Sequence, residues 1–173
     1  MFGQLGHGVL SDEGVPLIIK EIESRKIIKI SCGSHHSLIL EENGQVWSFG
    51  SSEYGQQGGS KTSDWRTNER VKDHNYFYSV PRPLEEDFEG RKVVKIACGN
   101  LHNIAISESG EIFTWGWGMQ GVLGHGNRKF QVAPTLISRL RGEPILEAAA
   151  SGNHTIAITG TYQQLHTFIL VLC

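Results

Sequence analysis

Eight histidines and three cysteines are the side chains of this 173-residue sequence best suited to hold a metal or to move protons. His36, His102 and His154 recur in three similar segments, and His7 and His125 in two others. A zinc site needs ligands that converge on one point at about 2 Å. Histidines at one position of successive repeats are instead spread over separate units, where they are expected to be satisfied by turn backbone. Cys32 and Cys98 are likewise repeat-equivalent and read as small buried apolar residues, and no C-x-x-C pair suggests zinc or redox work. Gly116-Trp117-Gly118 followed by Gly121 spells G-x-G-x-x-G, but in a turn that lacks the strand and helix a dinucleotide site requires. No G-x-S-x-G elbow, phosphate-binding loop or H-E-x-x-H helix occurs. The sequence therefore nominates no catalytic, metal-binding or cofactor-binding residue, and no cofactor.

The elements that carry these residues follow from composition and pattern. The length fits one domain of about 150 residues, or a piece of a larger protein. Sixteen basic against eighteen acidic residues give a net charge of −2, so there is no strong nucleic-acid signal and none for an anionic membrane. Hydrophobic residues at 39% and charged residues at 20% describe a foldable chain. Glycine is the outlier, with 21 residues, roughly 12% against the usual share of about 7%. So many glycines imply many turns and favour an all-β fold over a helical bundle. No secretory signal opens the sequence, and three cysteines suit a reducing compartment, so an intracellular protein is expected, cytoplasmic or nuclear. The apolar run Phe168–Leu172 is far shorter than the roughly 20 residues of a spanning helix and reads as an edge strand or an abnormal chain end.

Internal repeats organise the chain. Lys29-Ile30-Ser31-Cys32-Gly33-Ser34-His35-His36 recurs as Lys95-Ile96-Ala97-Cys98-Gly99-Asn100-Leu101-His102, a shift of 66 residues. A third copy surrounds Gly152 and His154, with one residue fewer between glycine and histidine. Asn43-Gly44-Gln45-Val46-Trp47-Ser48-Phe49-Gly50 is answered by Ser109-Gly110-Glu111-Ile112-Phe113-Thr114-Trp115-Gly116. A glycine turn occurs at Gly3–Gly8, Gly55–Gly58 and Gly121–Gly126. Alternation in Ile28–Ser31 and Val94–Ala97 predicts strands with one buried face. Further strands are expected near Leu38–Leu40 and Ile104–Ile106, then at Val46–Phe49 and Ile112–Trp115, each of the latter ending at a glycine. Asn43-Gly44 predicts a two-residue type I′ hairpin, with Ser109-Gly110 a weaker equivalent. Short helical turns fit within Glu13–Arg25 and Pro134–Arg141. Trp47 and Trp115 lie in equivalent strands and read as packing. Periods near 50 residues, made of short strands and glycine turns, mark propellers.

These blocks resemble the regulator of chromosome condensation repeat family, whose Cys-Gly-x-x-His turn, Gly-x-(Val/Ile)-aromatic-x-(Trp/Phe)-Gly strand and Gly-Gln-Leu-Gly turn stand here at Cys32, Gly44 and Gly3. The resemblance covers about residues 2–160 and implies antiparallel four-stranded blades. Family members close a ring of seven, so this chain is expected to form an incomplete ring of about three blades: a partial propeller over 1–160, with an insertion at about 59–80, and a divergent tail over 161–173. Where a third Gly-x-Val-x-x-Trp-Gly strand is due, residues 161–168 read Thr-Tyr-Gln-Gln-Leu-His-Thr-Phe, which leaves the last blade undefined. The Gly-Trp-Arg-His-Thr signature of a similar plant ultraviolet-B photoreceptor is absent. Uncovered blade faces and edges would favour a fragment, a partner, or self-association.

The largest departure from the repeat is the insertion. The glycine turns at Gly55 and Gly121 are 14 residues further apart than those at Gly3 and Gly55. Within 59–80 lie Trp65, Arg66, Arg70, Tyr76, Phe77 and Tyr78, residue types that dominate binding hot spots. The segment reads either as an inert loop or as a partner-binding one. The resulting functional expectation is a non-enzymatic protein-interaction module. Resemblance adds two alternatives: guanine-nucleotide exchange on a small GTPase, as in the family's prototype, or a substrate-recruiting propeller of a larger enzyme such as a ubiquitin ligase.

Overall fold

The computed structural model describes residues 2–58, 77–84 and 88–160, and the backbone of 168–172. Among the described residues eleven strands form three antiparallel sheets. The first contains β1 (Ile27–Cys32), β2 (His36–Glu41), β3 (Val46–Ser51) and β4 (Phe77–Pro83), hydrogen-bonded in that order. The second repeats the arrangement with β5 (Val93–Cys98), β6 (His102–Ser107), β7 (Ile112–Gly116) and β8 (Gln131–Leu136). The third joins β9 (Ile145–Ser151), β10 (His154–Thr159) and β11 (Phe168–Leu172) in the order β11-β10-β9. The expected all-β architecture of antiparallel blades is present, and the apolar run that ends the sequence is an edge strand paired with β10.

The repeat in sequence is a repeat in register. Ile30 faces Ile39 and Lys29 faces Leu40 across β1 and β2; 66 residues later Ile96 faces Ala105 and Lys95 faces Ile106, and even the bulge between positions 27 and 29 returns between 93 and 95. Period-two alternation then sends opposite sides of each blade into different cores. Leu38, Leu40 and Val46 from the first blade meet Ile96, Cys98, Ala105, Phe113 and Trp115 of the second. Ile104, Ile106 and Ile112 from the second meet Ile145 and Ala157 of the third. On the first blade's other side, Ile39, Trp47 and Phe49 are covered by Ile19, Ile22 and Ile27. The short helical turns are 3-10 turns at Lys20–Ile22 and Ser138–Leu140. Pro134, however, lies in β8.

Two local expectations are corrected. The β2–β3 hairpin is not a type I′ turn: Gly44 has φ +95° but Asn43 has no positive φ, and Gly44 N–H closes a turn on the Glu41 carbonyl while Glu41 N–H reaches the Gln45 carbonyl. A four-residue turn followed by one left-handed glycine satisfies the strand twist with a single positive φ instead of two. Phe77–Val80, which close the expected insertion, lie in β4, whose outward position and prolines Pro81 and Pro83 suit a sheet edge. The second correction concerns His36 and His102, which bond to side chains of the neighbouring blade rather than to turn backbone.

β1, β5 and β9 contact one another in turn and line a shared cavity of about 420 Å³, which makes them the inner wall; β4 and β8 lie outermost. Among the described residues no helix is long and apolar enough to cross a membrane.

Candidate functional site

Strand direction decides which loops share an end. β1 and β2 are antiparallel, so the turns at 33–35, 99–101 and 152–153 emerge at the same end as the β3–β4 and β7–β8 connections, while the hairpins at 42–45 and 108–111 emerge opposite. Gly50 fixes the departure from β3: its φ is +104°, and a Cβ there would lie 2.4 Å from the His35 carbonyl oxygen. Glycine alone permits that approach. Gly116 repeats it against the Leu101 carbonyl at 2.5 Å.

The rim so formed is tied together across blades by side chains. His36 of β2 is almost fully buried and its Nε2 lies 2.8 Å from Asn103 Oδ1 on β6. Asn103 also donates from Nδ2 to the Gln56 carbonyl at 2.7 Å, and Trp115 Nε1 donates to the same oxygen at 3.0 Å. Since Asn103 Nδ2 is the donor to Gln56, its Oδ1 accepts, and His36 carries its proton on Nε2. One blade's histidine and glycine turn are therefore both held by the next blade's asparagine. The pattern recurs with substituted chemistry. His102 Nε2 lies 2.9 Å from Thr155 Oγ1 on β10, and Ser37 donates to the Gln4 carbonyl at 3.1 Å. Backbone bonds run beside the latches, from Ser34 N–H to the Asn100 carbonyl and from Asn100 N–H to the Gly152 carbonyl.

Burial governs the electrostatics here. It lowers the pKa of His36 to about 4, opposed by the Asn103 hydrogen bond and reinforced by His35. It lowers that of His102 to about 4 as well, helped by His36 and His154. Both rings are neutral at pH 7, and their Nδ1 atoms are buried without a hydrogen-bond partner. Burial pushes the Cys98 thiol up to about 12, so it is no nucleophile. On the inner wall Lys95 Nζ bridges the Leu146 carbonyl at 2.5 Å and Glu147 at 2.7 Å, and its hydrogen bond holds the Glu147 carboxyl below the usual range. Among the described residues no group of three or more His, Cys, Asp or Glu side chains is placed to hold a metal. The arrangement is a rigid frame that presents loops.

Of the partner-loop candidates, Trp65, Arg66, Arg70 and Tyr76 lie outside the described residues. Phe77 and Tyr78 are half-buried at the rim end of β4, paired with Ser51 and Gly50, and the Arg82 guanidinium stands 4.0 Å over the Tyr78 ring. At the same end of the blades Tyr54 and Phe130 meet edge to face at 5.4 Å, joining the β3–β4 connection to the β7–β8 connection. Asn103 and Gln56, the hub of the first latch, were not among the residues singled out from sequence. Their signal was present: Ser37, Asn103 and Thr155, all polar, each follow a repeat histidine in an otherwise apolar strand.

The regulator of chromosome condensation (RCC1) repeat profile matches residues 1–40, 43–106 and 109–158, and a second profile of the same repeat matches 27–56 and 93–121. The chain belongs to the RCC1 repeat family. Its RCC1 repeats are 32% identical over 160 residues to the E3 ubiquitin-protein ligase HERC2 of Homo sapiens, covering 91% of this chain and 3% of that protein. They are 34% identical over 158 residues to the ultraviolet-B receptor UVR8 of Arabidopsis thaliana, covering 91% and 33%. The chain thus spans a third or less of these two relatives. The structure of Prp20p from Saccharomyces cerevisiae, described with its binding properties to Gsp1p and histones, superposes with a TM-score of 0.72 at 24% identity over 94% of this chain and 38% of its own, a likeness of fold.

Proposed function

We propose that this chain is a non-enzymatic interaction module in which the latched blades hold the rim steady and the long β3–β4 connection engages a protein partner. The observation that carries this reading is the position of that connection. It leaves the frame beside the His36–Asn103–Gln56 latch and re-enters at the Phe77–Tyr78 start of β4, on the end of the blades that also gathers the Tyr54–Phe130 pair. Loops anchored on rigid elements are where binding concentrates. For the class of partner, a small GTPase is supported by the family resemblance and by the fold shared with Prp20p. The 32% identity to HERC2 favours the alternative, recruitment of a substrate to a larger ligase.

The test uses immobilised chain and a panel of nucleotide-free small GTPases, with release of fluorescent GDP followed in parallel. Trp65→Ala and Arg66→Ala should each weaken capture by about 1–2 kcal/mol while leaving the denaturation midpoint unchanged. Deletion of 60–75, which spares β4, should abolish capture and keep the β-rich circular dichroism spectrum. Accelerated GDP release identifies exchange, whereas binding without it leaves recruitment. Undiminished capture by the deletion variant would overturn the rim reading.

A further inference from the structure

The connection from β7 to β8, residues 117–130, is folded back on itself. A Cβ on Gly118 would lie 1.8 Å from the Lys129 carbonyl oxygen, so the limb that leaves β7 runs directly against the limb that enters β8. Trp117 N–H fixes the first limb on the Leu101 carbonyl at 2.9 Å, and Lys129 N–H fixes the second on Asn127 Oδ1 at 2.9 Å. The paired limbs carry Met119, 45% exposed, beside half-buried Trp117, together with Arg128 and Lys129, both exposed. The Trp117 indole N–H donates to none of the described residues.

These are exterior positions of the repeat, whichever blades flank it. Glu53, 66 residues before Met119, is exposed although Tyr54 and Gly55 beside it are packed on Phe130 and Val132 of the following blade. Gly8 and Gly126 close the same turn, so Arg128 and Lys129 correspond to Leu10 and Ser11. Both of those are exposed although Gly8 N–H bonds the Ser79 carbonyl of the following blade at 2.8 Å. The scaffold is therefore indifferent to these side chains, and it is here that the chemistry changes, from Glu53 to Met119 and from Leu10-Ser11 to Arg128-Lys129. Gln120, next to Met119, has φ +68°, and its counterpart Tyr54 has no positive φ. Left-handed backbone at a residue other than glycine concentrates at binding and catalytic sites.

Charge singles out the same connection. No Asp or Glu occurs between Glu111 and Glu143, although the whole chain carries a net charge of −2. Arg128 and Lys129 enter no ion pair among the described residues. Arg139, also exposed and unpaired there, adds a third cation: a Cβ on Gly126 would lie 3.1 Å from its Cζ, which places the guanidinium over the second limb. A nucleic acid would want a longer stripe of cations tracking successive phosphates, and the net negative chain opposes one. Cations beside a thioether and an indole suit carboxylates that bring an apolar side chain with them.

We propose that the β7–β8 connection docks an acidic segment of a partner protein, its carboxylates on Arg128, Lys129 and Arg139 and an apolar side chain on Met119 and Trp117. The surface adds a second loop to the rim and names the chemistry it takes. Its residues are separate from residues 60–75, so either loop can fail without the other.

Fluorescence polarisation of the full chain tests it, with short fluorescein-labelled peptides in which glutamates flank one Leu, Met or Phe, the same peptides with lysine for glutamate, and an oligothymidylate. The acidic peptides should bind, more weakly as salt rises, and the lysine peptides should not. Met119→Glu, and Arg128→Leu combined with Lys129→Ser, install residues that the equivalent positions already carry, so the denaturation midpoint should hold while affinity falls by about tenfold. In nitrogen-proton correlation spectra the peptide should shift the Trp117 indole signal and leave that of buried Trp115 in place. Deletion of 60–75 should leave peptide binding unchanged. Acidic peptides that do not bind, or that bind these variants as well as the wild type, overturn the proposal. Binding of oligothymidylate in their place overturns it too, in favour of a nucleic-acid surface, and so does peptide binding lost only on deletion of 60–75.

Discussion

His36 and Asn103 are 67 residues apart in sequence and 2.8 Å apart in space, joining the second strand of one blade to the second strand of the next. Asn103 serves three neighbours at once, since its Oδ1 also accepts from the Cys98 thiol at 3.3 Å and its Nδ2 holds the Gln56 carbonyl. Every partner lies in a site closed to water, where a polar group left without its hydrogen bond loses about 1–3 kcal/mol.

Asn103→Ala should therefore destabilise the chain by about 2–4 kcal/mol, read as a lower midpoint in urea denaturation, because it strands a buried ring N–H and a buried carbonyl together. Lys95→Ala, which breaks the partly exposed bridge to Glu147 across the next blade boundary, should change the midpoint by less than about 1 kcal/mol. Equal effects from the two substitutions would mean that the latch is not where the blades are joined.

Acid should weaken the latches in a defined window. The folded pKa values of His36 and His102 lie near 4, below the 6.5 of the unfolded chain, so between those values the unfolded state binds more protons. Stability is full above about pH 6.5 and falls as the pH drops toward 4, by about 1.4 kcal/mol per pH unit for each ring, on the order of 3 kcal/mol each across the window. Replacing His102 with Gln should remove its share of that slope in denaturation curves collected from pH 7 to pH 4. A slope unchanged by the substitution would show that other groups carry the acid sensitivity.

Gly33 and Gly99 are required by space rather than by backbone conformation. A Cβ on Gly33 would lie 2.0 Å from His36 Cε1 and 2.8 Å from the Gly99 carbonyl oxygen, and one on Gly99 would lie 2.0 Å from His102 Cε1. Gly33→Ala should destabilise by about 1–3 kcal/mol. Combined with His36→Ala the two losses should sum to less than additive, because the clash disappears with the ring. Full additivity in a double-mutant cycle would locate the penalty in the backbone instead.

The blade itself was legible in the sequence, and the joints between blades were not. Alternation at Ile28–Ser31, the Asn43-Gly44 turn and the strand-ending Gly50 are local signals, since side-chain direction and backbone sterics are settled within a few residues. They predicted the strands, their order and their repetition. The fourth strand escaped because Phe77–Pro83 carries two prolines and follows an insertion whose aromatics read as loop, and only pairing with β3 made it a strand. The histidines were read as satisfied by turn backbone, whereas the structure points His36 and His102 at Asn103 and Thr155 in the next blade. Nothing local to Cys-Gly-x-x-His states which residue 67 or 53 positions away will arrive to receive the ring. That depends on how one sheet stacks on the next, a relation between blades that the packing of Leu38 and Leu40 on Ile96 and Cys98 decides.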